Sequence, residues 1–198
     1  MTDFSKLKYY EPQQKAAEPK HVKVDLCIYG GTSAGVAAAV QARRMGLTVA
    51  IAEFSRHLGG MTASGLGGTD IGNKGAIGGI SREFYRALGK HYGEEEMWTF
   101  EPHVAERIYD EWTEEAGVEV YFEQYLGQVR KEQGKIKSST MENGNVFTAR
   151  SFIDATYEGD LLARAGVSYH VGREANTVYK ETLNGIQFGS PHHNFKAW

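Results

Sequence analysis

Val22-Lys23-Val24-Asp25-Leu26-Cys27-Ile28-Tyr29-Gly30-Gly31-Thr32-Ser33-Ala34-Gly35 is the stretch on which the fold turns. An apolar run typical of a strand enters a glycine-rich bend. The bend opens an Ala/Val-rich helix, predicted over 34–45 and stopped by Gly46. A second apolar run, Leu47-Thr48-Val49-Ala50-Ile51-Ala52, follows and is closed by the acid Glu53. Strand, glycine bend, helix, strand and acid, in that order, describe a βαβ unit shaped for a dinucleotide. Free N–H groups at the start of a helix, with the positive end of its dipole, attract a diphosphate. Gly30 permits the tight bend and Gly35 lets the helix lie close to the strand. Glu53, at the carboxyl end of the second strand, is placed to accept hydrogen bonds from ribose hydroxyls.

The bend departs from the G-x-G-x-x-G pattern at its middle glycine, where Thr32 stands. Gly31 is a partial substitute, and the hydroxyl of Thr32 or Ser33 is a candidate donor to phosphate. Beyond Glu53 the chain does not enter a second helix, as a nicotinamide-binding unit usually does. It lays down Phe54-Ser55-Arg56-His57-Leu58-Gly59-Gly60-Met61-Thr62 and continues glycine-rich to Gly79. Thirteen of the 24 glycines lie between Gly30 and Gly79. Glycine costs backbone entropy on ordering, so this density suits a segment ordered by a ligand. Such backbone can pass close to a large planar molecule, and Arg56 can pair with a phosphate or carboxylate.

These residues, together with Phe152-Ile153-Asp154-Ala155-Thr156-Tyr157-Glu158-Gly159-Asp160-Leu161, resemble the FAD-dependent oxidoreductases of the glutathione-reductase-like, two-dinucleotide-fold kind. The closer likeness is to bacterial members sharing their FAD domain with heterodisulfide-reductase-type flavoproteins. It extends from Val22 to the end of the chain. Tyr157 stands where that group commonly has glycine. The resemblance implies an α/β, Rossmann-like FAD-binding domain with a parallel sheet, a β-hairpin or meander insertion and the start of a second domain. It implies FAD as cofactor and a small-molecule substrate, with a lean toward sugar-related compounds. By the same resemblance Gly30, Gly31, Ser33, Ala34 and Gly35 meet the pyrophosphate and Glu53 the adenosine ribose. Arg56, Gly59, Gly60, Met61 and Thr62 run toward the ribityl chain and flavin. Leu126 offers a backbone contact to the adenine edge, or is simply buried core. Thr32, Phe54 and Thr156 complete the expected cofactor contacts. Asp160 either meets the ribityl hydroxyls or favours the start of a helix by its charge.

The bulk numbers narrow the class. A chain of 198 residues, 41% hydrophobic and with formal net charge −3, can bury a core and presents no basic run for nucleic acid. The single cysteine, Cys27, excludes an internal disulfide and a cysteine-ligated iron–sulfur cluster within this chain. No apolar run is long enough for a membrane span and no apolar signal core opens the chain, so the default expectation is the cytoplasm. No metal site is expected: the His192-His193 pair lacks a third ligand at metal spacing. FAD performs the redox chemistry itself, so no catalytic side chain is assigned. His57, His192 and His193 are candidate proton handlers, although His57 is equally a loop residue and the pair lies near a chain end.

The remaining organisation follows from periodicity and breakers. Residues 1–21 read as a loose polar arm, 22–166 as the FAD-binding domain and 167–198 as the start of a substrate domain. Helices are predicted from Ile80 to Leu88, ending at Gly89, and from Pro102 to Ala116, ending at Gly117. Trp112 on the second helix is a core residue, or less readily a flavin-stacking one. Strands are predicted at 118–122, 126–131, 135–141 and 146–153, with Asn143-Gly144 as a hairpin turn, and a helix from Leu161 to Ala165. Flavoproteins of the resembled kind return to the FAD domain near their end, and no such return precedes Trp198. The expectation is the FAD-binding part of a longer enzyme, of unassigned oligomeric state. A nicotinamide-dependent dehydrogenase and a non-catalytic nucleotide-binding relic stand as alternatives.

Overall fold

The computed structural model describes residues 13–185. The N-terminal part of the arm and the His192-His193 pair lie outside the described residues. The described chain divides after Ala165 into two compact units.

The first unit is built on one six-stranded sheet in the order β3-β2-β1-β6-β5-β4. Strand β1 is His21–Tyr29, β2 Val49–Ala52, β3 Glu119–Tyr121, β4 Leu126–Glu132, β5 Lys135–Met141 and β6 Val146–Asp154. β1 pairs in parallel with β2 on one side and with β6 on the other, and β2 pairs in parallel with β3. β4, β5 and β6 form an antiparallel meander. Its second turn is the Asn143-Gly144 hairpin, with Gly144 at φ 93°. This is the α/β, Rossmann-like architecture. The predicted strands fall where the residues were read, because each is an apolar or β-branched run bounded by turn residues.

β1 lies at the centre, and Leu26 to Tyr29 are all buried. A strand covered on both faces reads as a continuous apolar run rather than an alternating one. Leu26 and Ile28 enter one core with Val36 and Val40 of α1 (Ser33–Arg44). Leu88 of α2 (Gly79–Tyr92) and Val104 and Ile108 of α3 (Pro102–Ala116) close that core. Cys27 and Tyr29 enter the opposite core with Leu126, Met141, Phe147 and Leu161. Trp112 belongs to the first face, edge-on to Phe84 and Tyr109 at 6.2 and 6.5 Å, while Phe84 and Tyr109 stack at 4.7 Å.

One predicted boundary is corrected. α2 does not stop at Gly89 but runs to Tyr92, and Gly93, at φ 77°, ends it. Gly89 is inside the helix because the following chain folds back onto it: a Cβ there would lie 2.7 Å from backbone atoms of Glu94, Glu95 and Glu96. The glycine serves close approach, not termination.

The short helix α4 (Asp160–Arg164) follows β6, with Gly159 before it at φ 72°. The second unit, from Gly166, contains one helical turn, α5 (Asn176–Tyr179), whose Asn176 accepts from the Gly185 N–H at 2.6 Å. Among the described residues no helix is long and apolar enough to cross a membrane.

Candidate functional site

The sheet order fixes where a ligand can enter. From β1 the chain passes through α1 to β2 on one side, while β6 lies on the other side of β1. Such a switch of direction opens a crevice outside the carboxyl ends of the two central strands. Gly30 and Ala155 stand there. Gly30 is at φ 102°, and a Cβ on it would lie 2.9 Å from the Ala155 carbonyl carbon and the Thr156 nitrogen. A Cβ on Gly35 would lie 2.0 Å from the Gly30 oxygen, so α1 touches the bend through a glycine.

Thr32 is the N-cap of α1. Its Oγ1 accepts from the Gly35 N–H at 3.3 Å and donates to the Ala155 carbonyl at 2.8 Å. Its one hydroxyl proton is thereby given to Ala155, just past β6, while the Ser33 hydroxyl lies against the Tyr109 phenol. The Ala34 N–H has no partner among the described residues, and Ala34 is exposed at the mouth of α1. The helix start thus keeps a donor and its dipole for an anion.

Glu53 is only 3% exposed and turns its carboxylate to the bend. Oε2 accepts from the Gly31 N–H, and Oε1 accepts from the Ser55 N–H at 2.7 Å. Its backbone is clamped in turn: its N–H donates to Tyr121 and its carbonyl accepts from Gln124, both at 2.8 Å.

The Gly59–Thr62 loop crosses the bend. The Gly59 N–H donates to Gly31 at 2.7 Å, and Gly60–Thr62 makes a single 3₁₀ turn. Gly59, at φ 98°, leaves room for Tyr109, whose ring would lie 2.6 Å from a Cβ. Tyr109 is buried beside the Thr62 and Ser33 hydroxyls, and burial pushes its phenol pKa well up. A cleft of about 300 Å³ opens here, lined by Ser33, Ala34, Thr62, Phe84, Tyr109 and Trp112 among others. Met61 and Phe54 are exposed. The Arg56 guanidinium pairs with Glu123 at 2.7 Å. His57 Nδ1 pairs with Glu106 at 2.6 Å.

The exit of β6 is a hydrogen-bonded loop. Asp154 accepts from the Thr156 N–H at 3.0 Å, the Thr156 hydroxyl at 2.6 Å and the Leu162 N–H at 2.8 Å. The Thr156 hydroxyl accepts from the Gly159 and Asp160 N–H groups at 3.0 and 3.3 Å. Tyr157 sits at the apex of this loop, and its hydroxyl accepts from the Met61 N–H at 2.7 Å. Asp160 is exposed and lines a second, polar cleft of about 360 Å³ with Tyr29, Leu126 and Arg164. The Leu126 N–H donates to the Tyr29 hydroxyl at 3.1 Å, and the residue is buried. Burial pushes the Tyr29 phenol up to about 12.

The structure therefore gathers Gly30, Gly31, Thr32, Ser33, Ala34, Gly35, Glu53, Gly59, Gly60, Met61, Thr62 and Thr156 around one bend. The Arg56 guanidinium is paired with Glu123. Sequence reasoning passed over Asp154 and Tyr109 as site elements. The Asp-x-Thr spacing is the signal for the first, since a short acid commonly accepts from the N–H two residues on. Tyr109 carried none, being one aromatic on an ordinary amphipathic helix. Among the described residues no cluster of three or more His, Cys, Asp or Glu side chains is placed to share a metal ion.

A family model described as FAD-dependent oxidoreductase matches residues 25–196. Comparison with curated protein sequences gives no match. Among solved structures, L-proline dehydrogenase from P. horikoshii superposes with a TM-score of 0.59 at 13% identity, covering 79% of this chain and 59% of that one. The flavin-dependent brominase Bmp2 gives 0.58 at 19% identity, covering 77% and 43%. A geranylgeranyl bacteriochlorophyll reductase-like protein from Thermoplasma acidophilum gives 0.55 at 20% identity, covering 75% and 43%. At these identities the likeness is one of fold. The chain covers from 43% to 59% of the length of these three proteins.

Proposed function

The chain belongs to the FAD-dependent oxidoreductase family, whose cofactor is FAD, and from that premise we propose that it is the FAD-binding part of an enzyme oxidising or reducing a small organic molecule. One observation carries the reading: the α1 N-terminus, with the free Ala34 N–H, opens at the β1–β6 switch point opposite the buried Glu53 carboxylate. Gly30 and Gly35 let the bend, the residues after β6 and the start of α1 come into backbone contact there, which side chains would prevent.

The residues present fit the cofactor. In the proposed mode the Gly30–Gly35 backbone and the Ser33 hydroxyl hold the diphosphate. Glu53, already oriented by the Gly31 and Ser55 N–H groups, accepts from the adenosine ribose. Gly59, Gly60, Met61 and Thr62 lie along the path toward the flavin. FAD, when bound, supplies the hydride or electron transfer. The protein orients it, and its diphosphate is stabilised by a helix dipole and neutral donors, with Arg56 engaged by Glu123. His57, fixed through Nδ1 by Glu106, presents its other ring nitrogen as a proton acceptor or donor at the edge of the glycine loop.

Titration of the purified apoprotein with FAD, followed by quenching of flavin fluorescence, tests this reading. Saturable binding that ADP competes away is expected, with flavin absorbance retained after desalting. A protein that binds NAD but neither FAD nor ADP-competable flavin would overturn it.

A further inference from the structure

Tyr157, three residues past the end of β6, has surroundings that give its side chain a task. Its hydroxyl accepts from the Met61 N–H at 2.7 Å, across 96 residues of chain. It rests on Gly60, where a Cβ would lie 2.2 Å from the hydroxyl and 3.2 Å from the Thr32 methyl group. The phenol therefore reaches between the loop turn and the N-cap of α1. Its own proton has no acceptor among the described residues, and the side chain is half exposed. A hydroxyl that accepts from an amide is polarised toward donating, because chained hydrogen bonds strengthen one another. The Asp154–Thr156 network fixes the backbone on which Tyr157 stands.

Two side-chain donors of this region already have partners. The Thr32 proton goes to Ala155, and Arg56 is paired with Glu123. The middle glycine of the motif, which lets backbone approach a diphosphate, is Thr32 here. On the reading given under Proposed function, on which this step rests, a diphosphate at the α1 N-terminus meets few other protein donors. We propose that Tyr157 is a cofactor-binding residue, its phenol donating a hydrogen bond to the diphosphate while its oxygen holds the Met61 amide. It thereby ties the exit of β6, the glycine loop and the cofactor together, and takes over the part of the absent glycine.

The opposing view is that the phenol oxygen is a plug, filling the place that a phosphate oxygen needs. The two make opposite forecasts for Tyr157→Phe, whose ring keeps the packing while the hydroxyl is lost. Dissociation constants for FAD, ADP and adenosine are measured by titration on apoprotein of the wild type, Tyr157→Phe and Tyr157→Gly. A hydrogen bond to a charged group makes Tyr157→Phe weaken FAD and ADP by about tenfold or more, with adenosine, which has no diphosphate, unchanged. Tyr157→Gly is expected to lose at least as much. Equal or tighter binding of FAD and ADP by either variant overturns the proposal and leaves the FAD reading standing. An equal loss for adenosine overturns it too, since the effect would then not be on the diphosphate. A wild-type protein that binds neither FAD nor ADP removes both.

Discussion

Glu53 is a buried side chain whose place the fold fixes through the backbone around it. A carboxylate buried to 3% exposure is tolerated only when its oxygens are partnered, and here both accept backbone N–H groups, from Gly31 and Ser55. The charge is held by the bend it is expected to serve. Glu53→Gln keeps the shape but turns an NH₂ toward an N–H donor, so one buried donor loses its acceptor. The variant is expected to lose about 1–3 kcal/mol of stability, read from the urea midpoint, and to bind adenosine more weakly as well as FAD. That pattern contrasts with Tyr157→Phe, in which adenosine binding is kept, so the two substitutions separate the ribose from the diphosphate. A Glu53→Gln protein as stable as the wild type would show that the two backbone donors reach water instead.

At the scale of elements, the strands and the long helices were legible because their signals are local. The β1 run, the Asn143-Gly144 turn and the Gly117 stop each act within a few residues. Gly89 was not legible in the same way. A glycine near the end of an amphipathic run reads as a stop, but the chain that returns over it, Glu94 to Glu96, is what requires it. Gly89→Ala would raise intrinsic helix propensity by about 1 kcal/mol, yet its Cβ would stand 2.7 Å from three backbone atoms. We expect a net loss of stability, of the order of 1–3 kcal/mol, in thermal or denaturant unfolding. A stabilised variant would mean that the returning segment is not packed on α2.

At the scale of the molecule, β1 is the element on which both cores and the candidate site depend, and Cys27 reports on it. The thiol is 1% exposed, and burial pushes its pKa up to about 12. The reactive thiolate is therefore almost absent while β1 stays in the sheet. Modification of Cys27 by a thiol reagent is expected only through opening of the first unit. FAD at about a hundredfold its dissociation constant should then slow labelling roughly a hundredfold, because a ligand that binds the folded state alone stabilises it by mass action. Labelling at the rate of a free thiol, indifferent to FAD, would contradict the central place of β1.

The sequence alone carried the βαβ unit, its glycine bend, the acid after β2, the meander and the flavin family. All of these follow from spacings and turn chemistry that act over short stretches of chain. It could not say which donors at the site remain free. The Thr32 proton is given to Ala155 across 123 residues, the Leu126 N–H to Tyr29 across 97, and Arg56 to Glu123 across 67. A hydrogen bond spends a donor on whatever the fold brings within about 3 Å, and that proximity is a property of the folded sheet, not of any local pattern. For the same reason Tyr157, which in the linear chain looks like a departure from the family's glycine, becomes in three dimensions the side chain that joins the exit of β6 to the Met61 amide.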